Sequence, residues 1–306
     1  MKKLILLLLV LTTGQLLHAC DICGAGTGSA YMGILPDFKK RFIGLRYQHN
    51  GVRYHLGPGG SSTYLTTTER FNITELWGAA NIGKRFRLAA FIPYNFIERT
   101  NQQENRHTQG LGDMTVIGYY QLFNSQKIYR IKTLSQSLWI GGGLKAPTGK
   151  YNPEEKNIGQ SSLNTFQLGT GSFGFSLHTM YDIRLQNLGI NVNAGYKINT
   201  SNKYDYRYGN KLTLNMLGYY RFAINDKITI SPNSGILYET ASKDLKTKDI
   251  QVWETGGHSL MGTIGTEVNI GNVSLGANFQ TPVKQALGEN KVKAKNRGML
   301  HVSFTF

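Results

Sequence analysis

The strict alternation of apolar and polar residues over short segments is the feature that most constrains how this chain can fold. In residues 187–199 the apolar side chains occupy one side, and polar residues such as Asn191 and Asn193 occupy the other. A period of two is typical of a β-strand with an apolar environment on one face and a polar environment on the other. The same pattern recurs in residues 86–96, 212–222, 228–238, 260–270 and 273–281.

Five segments with weaker alternation and one closing segment complete the predicted set of strands. The weaker segments are residues 42–49, 71–82, 113–123, 138–146 and 166–182, and the closing segment, residues 296–306, alternates almost without a fault. In residues 71–82 and 166–175 the apolar residues change sides midway, which predicts a β-bulge in each segment. The last segment ends on Phe306, and such an aromatic final strand resembles the assembly signal of bacterial outer-membrane barrels. The sequence therefore predicts an all-β fold, a closed antiparallel transmembrane β-barrel of about twelve strands.

The links between the predicted strands have the lengths expected for such a barrel. Those on one side are short, at residues 83–85, 184–187, 223–227 and 270–272. Those on the other side are long and polar, at residues 50–68, 99–111, 150–163, 200–209, 240–257 and 285–296. Outer-membrane barrels have short periplasmic turns and longer extracellular loops. Residues 124–137 are predicted to be a longer periplasmic exception.

The N-terminal residues predict export. Residues 1–19 combine Lys2 and Lys3 with an apolar run and end on the small residue Ala19, as in a cleavable signal peptide. No later apolar run reaches the ~20 residues that a transmembrane helix needs. We therefore divide the chain into a signal peptide (1–19), a glycine-rich segment with two cysteines (20–40) that is a candidate plug of the lumen, and a barrel (41–306). The expected location is the outer membrane of a Gram-negative bacterium.

Several short motifs resemble those of a known group of barrels. They are Phe91-Ile92-Pro93-Tyr94, Gly110-Leu111-Gly112-Asp113, the run GGGLKAPTG from Gly141 to Gly149, and Leu168-Gly169-Thr170-Gly171-Ser172. On these motifs the chain resembles the outer-membrane transporter-like family grouped with meta-pathway phenol-degradation proteins, a family that is itself similar to the long-chain fatty-acid transporters. The N-terminal run CDICG, from Cys20 to Gly24, is similar to that of barrels from Bacteroidetes-type bacteria. The resemblance implies a barrel fold and a transport-like role, and it indicates no particular solute.

The polar face of each strand would line the lumen, where a solute is handled, if the apolar face contacts lipid. The residues proposed for a solute path are Arg46, Lys145, Asn191, Asn193, Lys197, Arg221, Glu239, Glu267 and Gln280, and Asn95, Asn215, Asn233, Asn278 and His301 share their face. Cations outnumber acids in this set, so an open lumen would favour anions. Two outcomes stay open, because an Asn-rich interior of mixed charge can form a selective pore or fill itself with hydrogen bonds.

Cys20 and Cys23 are the only cysteines, and they allow three hypotheses. Residues 17–20 roughly resemble a lipidation signal, although His18 is atypical at its position. An oxidising periplasm favours a disulfide, but a two-residue spacing closes too small a loop to stabilise the fold much. Two thiolates could also bind copper or zinc, whereas a structural zinc site usually has four ligands. A metal site is therefore the second hypothesis, after a disulfide or free thiols.

The formal net charge of +16 requires a counter-charge. Many cations lie in predicted loops: Lys203, Arg207, Lys211, Lys243, Lys246, Lys248, Lys284, Lys291, Lys293, Lys295 and Arg297. Outside the cell the phosphates of lipopolysaccharide in the outer-membrane lipid are the expected partner, with anionic solutes as the alternative. Nucleic acid is not expected there, and the barrel-assembly machinery is a further expected partner through the C-terminal strand.

An enzyme that modifies membrane lipid is the alternative from another functional class. Its site would need a nucleophile, a base and an orienting group within hydrogen-bond reach. His301 and Ser303 share a strand face, but residues two apart on a strand lie ~6.5 Å apart, and no third partner is indicated. We therefore predict a transport-like barrel without catalytic residues that passes a small hydrophobic or anionic solute. A closed structural or metal-associated barrel is the alternative.

Overall fold

The computed structural model describes residues 41–129, 132–156, 164–247 and 249–306, and their architecture is a closed antiparallel β-barrel. Within these residues twelve strands, numbered in chain order, form the barrel. They are β1 (Phe42–Tyr54), β2 (Thr67–Ile82), β3 (Phe86–Thr100), β4 in two sections (Asn105–Leu111 and Thr115–Tyr129), β5 (Lys132–Lys145), β6 (Gly174–Leu185), β7 (Leu188–Asn199), β8 (Lys211–Tyr220), β9 (Ile228–Ala241), β10 (Gly257–Ile270), β11 (Val273–Leu287) and β12 (Arg297–Thr305).

Hydrogen bonding between the first and last strands closes the barrel. β1 pairs with β12 in continuous register from Phe42 opposite Thr305 to His49 opposite Gly298. Each strand also pairs with its neighbour in the chain, so no barrel strand has a free edge among the described residues. This closure pairs the backbone N–H and C=O groups that would otherwise be exposed to hydrocarbon.

Short elements lie at both ends of the barrel, most of them at the end of the long loops. Three short strands, Tyr206–Arg207, Leu245–Lys246 and Ile250–Gln251, form a small separate sheet above β7 to β10. Two-residue strands at Phe222–Ala223 and Lys293–Ala294 extend the main sheet, and 3-10 turns occur at Pro58–Gly60, Pro153–Lys156 and Gly288–Asn290. No helix in the ranges that the structure covers is long and apolar enough to cross a membrane. The signal peptide and residues 20–40, with Cys20 and Cys23, lie outside the described residues.

Every barrel strand carries at least one large aliphatic side chain on its outer face. One such residue from each strand, in order from β1 to β12, is Leu45, Leu76, Leu88, Val116, Ile140, Leu177, Ile190, Leu214, Ile236, Ile264, Leu275 and Leu300. Each of these side chains is exposed on the outside of the barrel, and the residues directly before and after it in the strand face inward. A continuous apolar belt of this kind is the surface that a transmembrane barrel presents to lipid. The chain is therefore an outer-membrane β-barrel.

The predicted strand at residues 166–182 is wrong in its first half. β6 begins at Gly174, and residues 164–173 turn into the mouth of the barrel instead. Phe166 and Leu168, on either side of the polar Gln167, resemble a strand in sequence, but both pack on the apolar cluster at the mouth of the barrel and Gln167 is buried as well. The bulge predicted in this segment is absent for the same reason.

β2 is a regular strand without the predicted bulge. Its register is continuous against β1 and against β3. The apolar residues change sides because Phe71 and Trp77 point inward and are buried, whereas Leu76 faces lipid. Large apolar side chains therefore occupy the interior as well as the outer face. Register shifts occur elsewhere, between Gln121 and Phe123 in β4 and between Leu260 and Met261 in β10.

Two predicted links are in fact paired strands. Residues 124–129 of β4 pair with residues 132–137 of β5, so the long periplasmic link shrinks to a two-residue connection. Residues 105–111 pair with the upper part of β3 and leave a short loop at residues 101–104. Both segments are polar, and they pair because backbone hydrogen bonds do not depend on side-chain hydrophobicity. The remaining long loops, residues 55–66, 146–173, 200–210, 242–256 and 288–296, all lie at the end that we assign to the cell exterior.

The seam between β1 and β12 gives a test of barrel closure. A Cβ atom on Gly44 would lie 2.7 Å from the Cβ atom of Ser303 on β12, whereas one on Gly142, on the lipid face of β5, would meet nothing within 4 Å. We expect Gly44→Val to destabilise the barrel by about 1–3 kcal/mol through overpacking, and Gly142→Val to have little effect. The measurement is the temperature at which outer-membrane protein loses its folded mobility on a denaturing gel. If both variants lost their folded mobility at the same temperature, the close packing of β1 against β12 at Gly44 would be contradicted.

Candidate solute path

One side of the interior is aromatic and apolar. This aromatic wall lies on the inward faces of β1 to β6 and consists of Phe42, Trp77, Ala79, Ala89, Phe91, Ile117, Tyr119, Trp139 and Met180. The Phe42 and Trp77 rings meet edge to face with centroids 4.5 Å apart, and the Phe91 ring is stacked 6.4 Å from Trp77. Gly141 makes room for the Tyr119 ring, since a Cβ atom there would lie 2.7 Å from Cδ1 of that tyrosine. The wall can offer ring faces and edges to an apolar solute.

The opposite side of the interior is lined by amides and hydroxyls. This polar wall lies on β7 to β11 and consists of Asn191, Asn193, Asn215, Asn233, Ser259, Thr263 and Asn278, all of them buried. Asn193 Nδ2 donates to Asn191 Oδ1 at 2.6 Å, and Asn191 Nδ2 donates to Asp182 Oδ2 at 3.3 Å. These bonds account for only part of the hydrogen-bonding capacity of the wall.

Several polar-wall atoms have no hydrogen-bond partner within the described part of the chain. They are both amide atoms of Asn215, Oδ1 of Asn233, Oγ of Ser259, Oγ1 of Thr263 and Nδ2 of Asn278. A buried polar group left without a partner costs roughly 1–3 kcal/mol. We therefore expect water or the polar group of a solute to bind along this wall.

The charged residues of the interior occur in pairs. The Arg46 guanidinium contacts the Glu75 carboxylate, and both side chains are almost completely buried. Nearer the extracellular end, Arg99 Nε lies 2.7 Å from Glu69 Oε1, and the Tyr54 hydroxyl donates to the same oxygen at 2.9 Å. Removing one partner of such a buried pair leaves an uncompensated charge and costs about 3–5 kcal/mol.

Two of the carboxylates predicted to face the lumen are also paired. Glu239 binds Lys211 Nζ and Arg297 Nη1, each at 2.7 Å. Glu267 binds His301 Nε2 at 2.9 Å, and the His301 ring lies edge-on to Trp77 at 5.6 Å. The Glu267–His301 pair therefore lies beside the aromatic wall at the middle of the barrel.

Acidic side chains compensate most of the positive charge that faces the lumen. Four further acidic side chains, Glu69, Glu75, Asp113 and Asp182, face inward in addition to the two that the sequence pattern placed there. Arg46 is compensated by Glu75, and Lys145 by Asp113. Arg87 and Arg99 are further buried cations on the inward face of β3, so the cations of the lumen are not limited to those predicted.

A polar junction centred on Asp113 holds the described parts of the loop after β5, residues 146–156 and 164–173. Lys145 Nζ lies 3.0 Å from Asp113 Oδ2 and also contacts the Thr170 hydroxyl. The same Oδ2 accepts the backbone N–H of Thr170 at 2.8 Å, and Asp113 Oδ1 accepts the N–H of Gly149 at 3.0 Å. Asn95, from β3, donates to the Leu168 carbonyl at 2.9 Å. The three motifs around Gly112, Lys145 and Gly169 thus meet at one place, the Asp113 junction.

Two glycines let the strands of this junction approach closely. A Cβ atom on Gly149 would lie 2.7 Å from the Cα atom of Gly169, and one on Gly169 would lie 2.6 Å from the Cα atom of Gly149. No larger residue fits at either position without moving the loop. The close approach explains why the motifs contain glycine at these two positions.

The other extracellular loops bind to this loop and to one another. The Tyr208 hydroxyl donates to the Asn164 carbonyl at 2.9 Å, and Asn202 Nδ2 donates to the Thr170 carbonyl at 3.1 Å. The Tyr206 hydroxyl donates to Asp244 Oδ2 at 2.5 Å. Burial, and then the neighbouring Asp244 carboxylate, raise the pKa of the Tyr206 hydroxyl well above its ordinary value, so it stays a donor at any physiological pH. The loops therefore form a connected cap over the lumen.

Glu254 joins three loops at the opposite edge of the cap. Its carboxylate contacts His55 Nδ1 at 3.0 Å and Lys291 Nζ at 3.0 Å. Burial alone would raise the pKa of the Glu254 carboxyl, but the hydrogen bonds and charges of His55 and Lys291 outweigh burial and hold that pKa below its ordinary value. We call Glu254, His55 and Lys291 the Glu254 clamp. Its contacts are strongest while the Glu254 carboxyl is ionised.

The residues predicted for the solute path do not all lie in one part of the lumen. Arg46, Lys145, Asn191, Asn193, Glu239, Glu267 and Gln280 are buried on inward faces. Lys197 is half-buried in the upper part of β7, opposite Lys211. Arg221 lies just beyond β8 at the periplasmic end, away from the others. No group of three or more His, Cys, Asp or Glu side chains able to hold a metal occurs in the described ranges, and the cysteines lie outside them.

Several residues of the interior were not predicted from the sequence. Glu75 and Trp77 were missed because the apolar face of β2 was assumed to contact lipid throughout. Asp113 was missed as a junction because its partners are 32 to 57 positions away in the chain. The period of two in β2 could have revealed the inward position of Glu75 and Trp77, because both share one face of the strand with Phe71.

Replacing Asp113 should release the inward-turned loop. Asp113→Asn removes the charge and one acceptor, which leaves Lys145 uncompensated, so we expect a loss of about 3–5 kcal/mol in loop attachment. The measurement is the rate of tryptic cleavage after Lys150 in the detergent-purified protein. Asp226→Asn, in an exposed periplasmic turn, is the control that should leave the rate unchanged. A D113N protein as resistant as the unmodified protein would contradict the role of the junction.

Acid should open the clamp at Glu254. Because the folded-state pKa lies below the unfolded value near 4.5, the stabilisation is complete above about pH 4.5 and is lost as the pH falls through the folded-state pKa. Hydrogen exchange of residues 249–256, corrected for its intrinsic pH dependence, should therefore accelerate below that pH. Glu254→Gln should exchange quickly at every pH. Equal exchange rates at pH 7 for Glu254→Gln and the unmodified protein would refute this linkage.

Comparison with known proteins agrees with this architecture. Residues 48–283, which are more than half of the chain, match the family model described as "Putative MetA-pathway of phenol degradation". The crystal structure of an outer membrane channel from Pseudomonas putida F1 is similar with a TM-score of 0.59 and 16% identity, covering 87% of this chain and 96% of that chain. The β domain of the Bordetella autotransporter BrkA is similar with a TM-score of 0.50 and 10% identity, covering 87% and 100%.

At these identities the two structures show a shared fold. No curated protein sequence matches the chain. The family model spans the strands from within β1 to within β11, and it includes the Asp113 junction, the polar wall and all of the aromatic wall except Phe42. The chain belongs to the family described as the putative MetA-pathway of phenol degradation.

Proposed function

We propose that this protein is an outer-membrane channel for a small, mainly hydrophobic solute that carries a polar group. The observation that carries the proposal is the division of the lumen into an aromatic wall and a facing polar wall with unpaired amides. A solute with an aromatic or aliphatic body could contact the first wall while its hydroxyl or carbonyl group binds the second. The resemblance to a channel fold and the family description, which refers to phenol degradation, support the same class of solute.

The arrangement suits passage better than tight binding. Single ring contacts contribute about 0.5–1.5 kcal/mol each beyond the burial of area. Conduction requires sites that are favourable enough to enter and weak enough to leave. The polar wall extends from Asn191 near the periplasmic end of β7 to Ser259 near the extracellular end of β10. A solute could therefore exchange one amide partner for the next along the barrel.

An anionic solute is the second candidate, and the half-buried cations favour it. Lys197 lies near the extracellular end and Arg221 near the periplasmic end, so both could attract an anion. Arg46, Asn191, Asn193, Glu239, Glu267 and Gln280 would then line the path between them.

We further propose that the chain has no catalytic site. The described residues include one serine–histidine contact, between Ser176 Oγ and His178 Nε2 at 2.9 Å. No carboxylate binds the other ring nitrogen of His178 within the described residues, so the orienting group of a triad is missing there. His301, the other histidine considered, has the carboxylate of Glu267 on Nε2, but its Nδ1 and the Ser303 hydroxyl have no hydrogen-bond partner among the described residues, so no nucleophile is bound to this ring.

The N-terminal segment stays a separate hypothesis. We propose that the chain is a Bacteroidetes-type member of its family, on the CDICG run that begins at Cys20. Copper or zinc binding by Cys20 and Cys23 would make the protein a metal-associated barrel, and the segment of residues 20–40 could act as a plug. Metal analysis of the purified protein, before and after changing both cysteines to Ser, decides this point without any transport measurement.

Uptake of matched solutes tests the channel. Benzyl alcohol and benzoate share a ring and differ in charge, and glucose is a polar solute of small size. In a deletion strain that carries the gene on a plasmid, we expect faster entry of benzyl alcohol than in the deletion strain alone. Trp139→Ala should lower that entry about fivefold through loss of ring contacts. Trp253→Ala, which removes an exposed loop tryptophan, is the matched control.

The competing outcomes separate the candidates. Faster entry of benzoate, with a reversal potential that moves toward cations in Lys197→Glu and Arg221→Glu, would establish the anion channel instead. Zero conductance in planar bilayers, together with no gene-dependent uptake of any of the three solutes, would overturn transport and leave a structural barrel.

A further inference from the structure

Four cations cluster on the outer surface of the extracellular rim. In one row across the sheet, Lys295 donates its backbone N–H to the Gly51 carbonyl at 2.8 Å, and Gly51 pairs with Arg70 of β2. In the next row, toward the cell exterior, Lys293 pairs with Arg53 of β1. The side chains of Lys293, Lys295 and Arg70 are exposed, and Arg53 is half-buried. We call these four residues the rim cluster.

The rim cluster differs from the other loop cations in its surroundings. Lys211 and Arg297 face inward to Glu239, Lys243 pairs with Glu289, and Lys291 pairs with Glu254. Within the described residues the acid nearest the rim cluster is Glu98, which contacts Arg70 at 3.6 Å with both side chains half exposed. Four positive charges therefore meet one negative charge at this place.

Like charges crowd one another in the cluster. Gly51 has no side chain, and the Lys295 side chain lies across it, with Cδ 3.3 Å from the position of a Cβ atom. Burial, and then the charges of Arg53 and Arg70, lower the pKa of the Lys295 amine. A polyanion bound between the two rows would relieve this repulsion.

Apolar grooves continue downward from the cluster on the lipid-facing surface. The upper groove, about 420 Å³, lies among Tyr47, His49, Ile264, Phe279 and Leu300. The lower groove, about 490 Å³, lies among Leu45, Val268, Leu275 and Val302. Both grooves include Tyr47, Ala277 and Leu300, so they are continuous. Gly298 forms part of the upper floor, and a Cβ atom on it would meet nothing within 4 Å.

The two features are in register along the barrel. His49 lines the upper groove, and Gly51, the centre of the lower row of cations, lies two residues above it on β1. Two residues of a strand span about 6.6 Å. At the upper edge of the grooves, the Tyr47 hydroxyl and His49 Nδ1 both contact Asn72 Oδ1, at 2.9 Å and 2.7 Å. These polar groups separate the apolar grooves from the cations above them. A molecule with phosphates at one end and acyl chains at the other fits this order.

We propose that the rim cluster and the grooves below it form a binding site for one molecule of lipopolysaccharide, whose phosphates contact the cations while an acyl chain occupies the grooves. The extracellular end of the barrel faces the leaflet in which this lipid resides. The site lies outside the barrel, so the proposal does not depend on what passes through the lumen.

Loss of the cations tests the headgroup half of the site. The variant Arg70→Gln, Lys293→Gln, Lys295→Gln keeps Arg53, which binds Ser62. The control Lys203→Gln, Arg207→Gln, Lys246→Gln removes three exposed extracellular cations elsewhere. The probe is purified lipopolysaccharide added to delipidated protein in detergent, with the midpoint of heat unfolding as the readout. We expect the rim variant to need about tenfold or more lipopolysaccharide for the same stabilisation, and the control to match the unmodified protein.

Filling the groove tests the acyl half. Gly298→Leu should weaken stabilisation by lipopolysaccharide, whereas Gly142→Leu, on the lipid face of β5 and equally free of neighbours, should not. Dephosphorylated lipopolysaccharide should stabilise the unmodified protein no better than intact lipid stabilises the rim variant. Should the triple variant fail to assemble, Lys293→Gln with Lys295→Gln, both at exposed positions, is measured in its place.

Three results would overturn the proposal. One is equal stabilisation of the rim variant and its control by lipopolysaccharide. Another is equal stabilisation of the unmodified protein by intact and dephosphorylated lipid. The third is full stabilisation by inorganic phosphate alone, which would identify a simple anion site.

Discussion

Closure of the sheet between β1 and β12 is the constraint on which the rest of the structure depends. In hydrocarbon an unpaired backbone group has no water to bind, so a strand-built membrane protein must return to its own first strand. Once the ring is closed, side chains can point only outward or inward, with a period of two. The outward positions must be apolar because lipid surrounds them. The inward positions carry no such rule, and this freedom allows Trp77 and Glu75 to share a face with Phe71.

The interior uses that freedom under a second constraint, the cost of isolated charge. Arg46, Arg99 and Lys145 are buried, and each binds a carboxylate. These pairs have a structural role: they hold β1 to β2, β2 to β3, and the described parts of the loop after β5 to the barrel wall. Neutral amides and hydroxyls on β7 to β11 keep unused hydrogen-bonding capacity, and so do Glu69 Oε2, Glu75 Oε2 and Trp77 Nε1 on β2.

The sequence was sufficient to predict the barrel and those strands in which only the outer face is apolar. In β7, for example, Leu188 and Ile190 lie on one face and Asn191 and Asn193 on the other. It was insufficient for β2, because a strand with apolar residues on both faces shows no clear alternation. It was also insufficient for residues 166–173, whose backbone binds Asp113 and Asn95 rather than a neighbouring strand. Such contacts join residues far apart in the chain, and only the glycines of the motifs hinted at the close approach of Gly149 and Gly169.

The same alternation separates two surfaces that can be altered independently. Gly298 and Met299 are neighbours in β12, yet the first lies on the lipid-facing groove and the second is buried in the lumen with Leu217 and Tyr219. A substitution at an outward position changes the surface that contacts lipid and leaves the interior unchanged. A substitution at the next residue of the strand changes the interior and leaves the lipid-facing surface unchanged. Strand parity therefore places each residue of β1 to β12 on one of two surfaces, the outside of the barrel or its interior. The extracellular cap, which has no such parity, is the part of the chain where both functions could be coupled.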